Sequence, residues 1–185
     1  MGKNVLILNG NPKPDSFCRS LALQYLAGAQ EAGHAVRLVH IADFQKPGGR
    51  GAVAQDISAQ ADLLWAEHIV FIYPNWWGTV PAALKGWLDT VLTAGFAFRF
   101  DMATNRLEGL LEGRTARLVV TMDTPKWIYR LLFSNGGITI MRRAVLGFCG
   151  VKPVRVSTFG PMYKSDPPVR EKWLVQIREL GRQAA

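Results

Sequence analysis

The run Val5-Leu6-Ile7-Leu8 is apolar at every position and is followed at once by Asn9-Gly10-Asn11-Pro12, a cluster of turn formers. A strand with one face in water would alternate polar and apolar residues, so an unbroken run marks a strand buried on both faces, as in parallel sheets. That single feature constrains the rest of the chain, because parallel neighbours need long crossover connections, usually helices. The sequence supplies them. From Ser16 onward Leu21, Ala22, Tyr25, Leu26 and Ala29 recur at helical spacing, and Gly33 stands where a left-handed cap would stop the helix. Ala35 to Ile41 predicts a second strand, followed by a Gly-rich loop through Gly48, Gly49 and Gly51 and a helix over Ile57 to Glu67. Ile69 to Tyr73 predicts the third strand, and Pro81 opens a helix that runs to Thr93. The fourth strand is Ala116 to Thr121. After it come a long irregular stretch, a helix over Thr139 to Phe148, a fifth strand within Val154 to Phe159, and a closing helix from Val169 to Leu180.

Five strands alternating with helices call for an α/β fold with right-handed crossovers and a mostly parallel sheet covered on both faces. With 185 residues, 49% of them hydrophobic, one domain over 1–185 is expected. The apolar runs are strand-sized, far below the roughly 20 residues that cross a bilayer, so no integral membrane segment is expected. The first residues run directly into a core strand without the pattern of a secretory leader, which points to the cytoplasm. Cys18 and Cys149 match no zinc or redox spacing; free thiols and no metal site are expected. The formal charge of +8 suits anionic partners, but no winged-helix, zinc-finger or RNA-binding signature accompanies it, so small anionic cofactors are expected and nucleic acid is not.

In open parallel sheets ligands bind beyond the carboxyl ends of the strands at the topological switch point. Function is therefore expected in three loops: Asn9 to Phe17, Pro74 to Val80, and Met122 to Asn135. The first joins a buried strand to a helix N-terminus, where free N–H groups, the helix dipole and the Ser16 hydroxyl suit a phosphate; equally, Ser16 is an ordinary helix cap. The second, Tyr73-Pro74-Asn75-Trp76-Trp77-Gly78-Thr79-Val80-Pro81, carries two adjacent indoles that cannot both point into one core. At least one should flank a cleft, and broad aromatic faces bounded by Gly and Pro suit a planar ring; the alternative is that both pack under neighbouring helices.

Ser16-Phe17, the stretch Tyr73 to Thr90 with Trp76-Trp77-Gly78 and Leu84-Lys85-Gly86-Trp87-Leu88-Asp89, and Gly95-Phe96-Ala97-Phe98 together resemble the NAD(P)H:quinone oxidoreductases, the DT-diaphorase family. The likeness continues through Leu107 to Thr121 and Gly147-Phe148-Cys149-Gly150, nearly the whole chain. It implies a flavodoxin-like three-layer sandwich with strand order 2-1-3-4-5, bound FMN or FAD with FMN preferred, and a homodimer with active sites at the subunit interface. The implied activity is two-electron, ping-pong hydride transfer from NAD(P)H through the flavin to quinones or related acceptors. Carried over by position, Asn11, Ser16, Phe17 and Cys18 would hold the flavin phosphate. Pro74, Asn75, Trp76, Trp77 and Gly78 would line the ring, joined by Thr121, Met122, Asp123 and Thr124. Trp76, Phe98, Phe100, Trp127 and Tyr129 would meet the acceptor, with Phe98 and Phe100 entering the partner's site and Tyr129 as the catalytic tyrosine. Asn11 and Cys18 replace the His and Asn frequent in that family, Thr121 to Pro125 replaces its Thr-Thr-Gly-Gly, and Asn135 stands where its histidine would be, so a Tyr–His proton relay is not expected.

Several other patterns read as structure. Gly49-Arg50-Gly51 resembles a dinucleotide fingerprint but does not follow a strand directly. Cys149 and Arg155 have a phosphatase-like spacing, but Pro153 and a strand intervene where a phosphate cradle is needed. His34, His40 and His68 fall at strand edges, where hydrogen-bonded structural roles are expected, and Lys85 and Asp89 read as helix surface. The rival reading of the whole chain is a non-enzymatic flavin electron carrier or a regulatory subunit; a carrier usually presents an acidic docking face, against the +8 seen here.

Overall fold

A computed structural model describes residues 2–44, 53–103 and 105–185. Five parallel strands form the central sheet: β1 (Asn4–Asn9), β2 (Ala35–His40), β3 (His68–Pro74), β6 (Thr115–Thr121) and β7 (Val154–Phe159), in the order β2-β1-β3-β6-β7. This is the expected 2-1-3-4-5 arrangement once the small hairpin β4 (Phe98–Asp101) and β5 (Arg106–Gly109) is set apart. The helices are α1 (Phe17–Glu31), α2 (Val53–Trp65), α3 (Ala82–Val91), α4 (Lys126–Phe133), α5 (Gly136–Thr139), which continues as a π-helical stretch Ile140–Gly147, and α6 (Pro167–Gln183).

Alternate residues of each central strand feed opposite cores, because successive side chains of a strand point to opposite faces. Leu6, Leu8, Ile69, Phe71, Leu118 and Val120 join Leu63 of α2 and Leu84, Trp87 and Leu88 of α3 in one cluster. Val5, Ile7, Val70, Ile72 and Val119 join Leu21, Ala22 and Tyr25 of α1 and Ile177 of α6 in the other. The second layer is unusually close. A Cβ on Gly28 would lie 1.9 Å from the Arg178 carbonyl oxygen, and one on Gly181 would lie 2.2 Å from that of Tyr25, so α1 and α6 meet backbone to backbone.

Three expectations need correction. The stretch after Thr121, expected to be irregular, contains α4, whose eight residues start after Pro125. Gly95 to Phe100, which follows the helix expected to end at Thr93 and where no strand was expected, enters a hairpin: Phe98 pairs with Gly109 and Phe100 with Leu107. The helix expected from Thr139 starts at Gly136 and is π-helical over most of its length. The Gly48 to Gly51 loop and its fingerprint-like pattern lie outside the described residues.

Candidate functional site

The sheet order reverses between β1 and β3: from β1 the chain crosses first to β2 on one side and then to β3 on the other. At the carboxyl ends of these strands lies a cleft of about 210 Å³, walled by three loops and closed at one corner by Met162.

The first wall is the β1–α1 loop. Asn9 Oδ1 accepts from the Asn11 N–H at 3.3 Å and Asn11 Oδ1 accepts from the Lys13 N–H at 3.0 Å, two successive side-chain turns that fix the loop. Ser16, extended at φ −126°, caps α1 by accepting from the Arg19 N–H at 3.4 Å. The first turn of α1 holds no acidic residue, and Asp15 stands just ahead of its cap. Phe17 and Cys18 of this turn line the cleft, as does Asn11. The Cys18 thiol lies 3.5 Å from Thr121 Oγ1. Burial pushes its pKa up, partly offset by hydrogen bonds from Thr121 and Asn11, so it is a neutral, unreactive thiol.

The second wall is a tight turn. Trp76 and Thr79 exchange both backbone hydrogen bonds at 3.0 Å, and the two residues between them are left-handed, Trp77 at φ 52° and Gly78 at φ 77°. Such a turn is easy for glycine and strained for a bulky residue. The two indoles part company here. Trp76 lines the cleft with Pro74 and Asn75, and Lys13 Nζ sits 5.8 Å from its ring centroid. Trp77 is fully exposed and does not line it.

Tyr129 of α4 anchors this turn from behind. Its hydroxyl donates to the Gly78 carbonyl at 2.9 Å, accepts from the Gly137 N–H at 3.0 Å, and lies 3.5 Å from Asn75 Oδ1. Gly137 comes so near that a Cβ there would lie 2.1 Å from the Gly78 oxygen. The phenol is buried and is not among the cleft-lining side chains. Its one hydrogen is committed to a backbone carbonyl, which suits a positioning role.

The third wall is the end of β6: Thr121, Met122 and Asp123. The Asn75 N–H reaches the Thr121 carbonyl at 2.7 Å, stitching the second wall to the third. Asp123 accepts from the Tyr163 N–H at 2.9 Å, and the Met162 N–H donates to the Met122 carbonyl at 3.1 Å, so the loop after β7 folds over the cleft corner. Met162 is a lining residue that sequence reasoning missed. The signal was available, because the switch-point rule applies to the loop after every strand and Gly160-Pro161-Met162 follows the fifth.

Other expected site residues fall elsewhere. Gly78 and Thr124 adjoin the walls without lining the cleft, and Ser16 contributes its cap rather than a lining surface. Phe98 packs edge to face on Phe148 of its own chain, centroids 5.0 Å apart, while Phe100 and Trp127 are exposed. His34 accepts from the Lys3 N–H and contacts the Arg182 carbonyl, His40 contacts the Asn9 side-chain amide, and His68 is fully buried between Tyr25 and Thr115. Cys149 is buried with its thiol pushed up to about 11 by burial. Lys85 and Asp89 form an exposed ion pair at 2.6 Å along α3.

Residues 3–180 match the family described as having the flavodoxin-like fold. The chain belongs to that family. Among its flavodoxin-like relatives is the ribosyldihydronicotinamide dehydrogenase-like protein traD of Penicillium crustosum, 30% identical over 167 residues, covering 72% of this chain and 62% of that protein. The FMN-dependent NADH:quinone oxidoreductase 3 of Pseudomonas aeruginosa is 32% identical over 138 residues, covering 73% of this chain and 60% of its own. The chain thus spans somewhat less than two thirds of the length of these curated relatives. Among solved structures, the NAD(P)H:quinone oxidoreductase of Methanothermobacter marburgensis superposes with a TM-score of 0.81 at 23% identity, with all of both chains covered, a likeness of flavodoxin-like fold. No helix among the described residues is long and apolar enough to cross a membrane.

Proposed function

We propose that this chain, acting as one domain over 1–185, is a flavin-dependent oxidoreductase that uses NAD(P)H to reduce quinones or related acceptors. The observation that carries the reading is the chemical division of the cleft. One end suits an anion: the N-terminus of α1, whose Phe17 and Cys18 line the cleft beside Asn11. The other is flat, aromatic and apolar: Pro74, Trp76 and Met122, with the polar edges of Asn75 and Asp123. A phosphorylated ring cofactor of the flavin class fits both ends. FMN is preferred, because the cleft has a single anion-binding end and because a relative carries FMN dependence in its name.

When bound, the flavin supplies the two-electron chemistry between nicotinamide and acceptor. The protein's share is placement. Asn11, Ser16, Phe17 and Cys18 would hold the phosphate side, and Pro74, Asn75 and Trp76 the ring, with Trp77, Gly78 and Thr124 shaping the turns beside it. Tyr129 would fix the Trp76 turn and leave proton delivery to water or substrate, since no histidine lines the cleft. At about 210 Å³ the cleft is smaller than the roughly 300 Å³ at which enclosing ligand pockets begin. A second copy supplying Phe100, Phe98 or Trp127 as a roof would complete it and exclude water, so a homodimer is the proposed working form. A cytoplasmic location is part of the same proposal.

The test is direct. Purified protein should carry flavin absorbance at one cofactor per chain, identified by mass after release, and should oxidise NADH or NADPH only when a quinone is added. A colourless protein that takes up neither FMN nor FAD overturns the reading.

A further inference from the structure

Backbone hydrogen bonds tie the cleft walls together in turn: Asn75 to Thr121, and Met162 of the loop after β7 to Met122. Between that loop and the first wall the chain is joined differently. Among the described residues no backbone hydrogen bond connects the loop to α1 or to the segment before it. Arg170, in the first turns of α6, spans the gap. Its Nε donates to Ser165 Oγ at 2.8 Å and its Nη2 to the Met162 carbonyl at 3.3 Å, while Ser165 Oγ itself donates to that carbonyl at 2.6 Å. The same guanidinium lies over Phe17 of α1, with Cζ 5.8 Å from the ring centroid.

Phe17 and Met162 both line the cleft, whereas Arg170 does not. The Phe17 ring is half-buried and also borders an open groove of about 390 Å³, so it has free space on two sides. It leans on Trp173, centroids 6.0 Å apart, and Trp173 packs in turn on the buried Phe159. A cation near a helix N-terminus works against the dipole, so Arg170 does not serve α6 itself. We propose that Arg170 is a positioning residue: its fork holds Met162 and Phe17 together as one corner of the cleft and thereby tightens cofactor binding. The nature of the cofactor rests on the function proposed above; the holding of the corner does not. Cys18 reports on it. The thiol follows Phe17 in the chain and lines the same cleft, yet is only 2% exposed.

The test reads each variant twice, once without cofactor. In ligand-free protein, labelling by methyl methanethiosulfonate, followed by peptide mass, should be about fivefold faster at Cys18 in Arg170→Gln than in wild type, the weight of about one net hydrogen bond. Cys149, in the other core layer, should label at an unchanged rate. FMN titrated into apoprotein should bind about fivefold more weakly to Arg170→Gln, and the difference should shrink when Met162→Ala is already present. Arg170→Lys should behave like Arg170→Gln in both readings, because an ammonium keeps the charge without the fork. Unchanged labelling of Cys18 in Arg170→Gln overturns the proposal, as does equal acceleration at Cys149, which would report a general loss of stability. Wild-type behaviour of Arg170→Lys would reduce the residue to a charge, and full FMN affinity in Arg170→Gln would separate the corner from the cofactor; either result also overturns it. A wild-type protein that takes up neither FMN nor FAD refutes the proposed activity, while Cys18 labelling still decides whether Arg170 holds the corner.

Discussion

The two ends of the sheet solve the same problem in opposite ways. At the amino ends of β3 and β6, His68 is held between the Tyr25 hydroxyl at 3.1 Å and Thr115 Oγ1 at 2.7 Å, and Arg117 reaches Ser157 Oγ and the Ala185 carbonyl. At the carboxyl ends, Asn11, Asn75, Thr121 and Asp123 border an open cleft. One end pairs its polar groups within the protein, the buried Arg117 Nε excepted, and the other leaves them bordering an open cleft. Stability should therefore be concentrated at the first end and binding at the second, and substitutions should separate the two.

The largest effect expected is acid sensitivity at the closed end. Burial, helped by Arg117 and Lys3, lowers the His68 pKa from 6.5 to about 3. The unfolded chain takes up a proton below about 6.5 that the folded chain refuses, so this contribution is complete above that pH and is lost as pH falls towards 3. The slope approaches about 1.4 kcal/mol per pH unit, or about 2 kcal/mol between pH 7 and 5. Denaturant unfolding at both pH values should show it, and His68→Gln should flatten it; an undiminished slope in the variant would break the comparison at its first end.

At the open end, Trp76→Ala should weaken flavin binding about tenfold, or about 1.4 kcal/mol, while moving the unfolding midpoint little, because the side chain is already part-exposed. Titration of apoprotein with FMN measures this. Equal affinity in the variant would show that the indole is not a binding wall.

Tyr129→Phe tests the anchor between α4 and the turn. It leaves the Gly137 N–H and Gly78 carbonyl without their partner, so stability should drop by about 1 kcal/mol, with weaker flavin binding and a pH–rate profile of unchanged shape. Disappearance of an ionisation would instead make the phenol a proton donor. The smallest effect should come from Lys85→Gln, which breaks an exposed i,i+4 pair worth under about 0.5 kcal/mol and touches neither end.

Most of the sheet was legible because its strands are buried on both faces: Val5 to Leu8 and Ile69 to Tyr73 announce themselves by composition alone. Alternation called for a mostly parallel sheet with right-handed crossovers, while the strand order was carried by the family likeness. What stayed hidden has a common cause. The β4–β5 hairpin is short and half-exposed, so its apolar pattern is that of a loop, and α4 exposes its apolar residues, which reverses the signal that normally marks a helix. At the site, the tandem tryptophans were legible as a cleft marker, but their division into a wall and an exposed residue depends on the left-handed backbone at Trp77, which no residue type there foretells. Tyr129 carries a family likeness, whereas its hydrogen bonds are set by the close approach of Gly137 to Gly78, visible only in three dimensions.

The walls of the cleft come from residues 11, 17–18, 74–76, 121–123 and 162, segments spread over most of the chain. A ligand seated among them would act as a reversible cross-link, because releasing any one segment forfeits contacts to all. Cofactor at a hundredfold above its dissociation constant would add about 2.7 kcal/mol to global stability. Cells short of cofactor would then hold a form whose loops open more often to proteases, and the amount of protein present would track the supply of the molecule it binds.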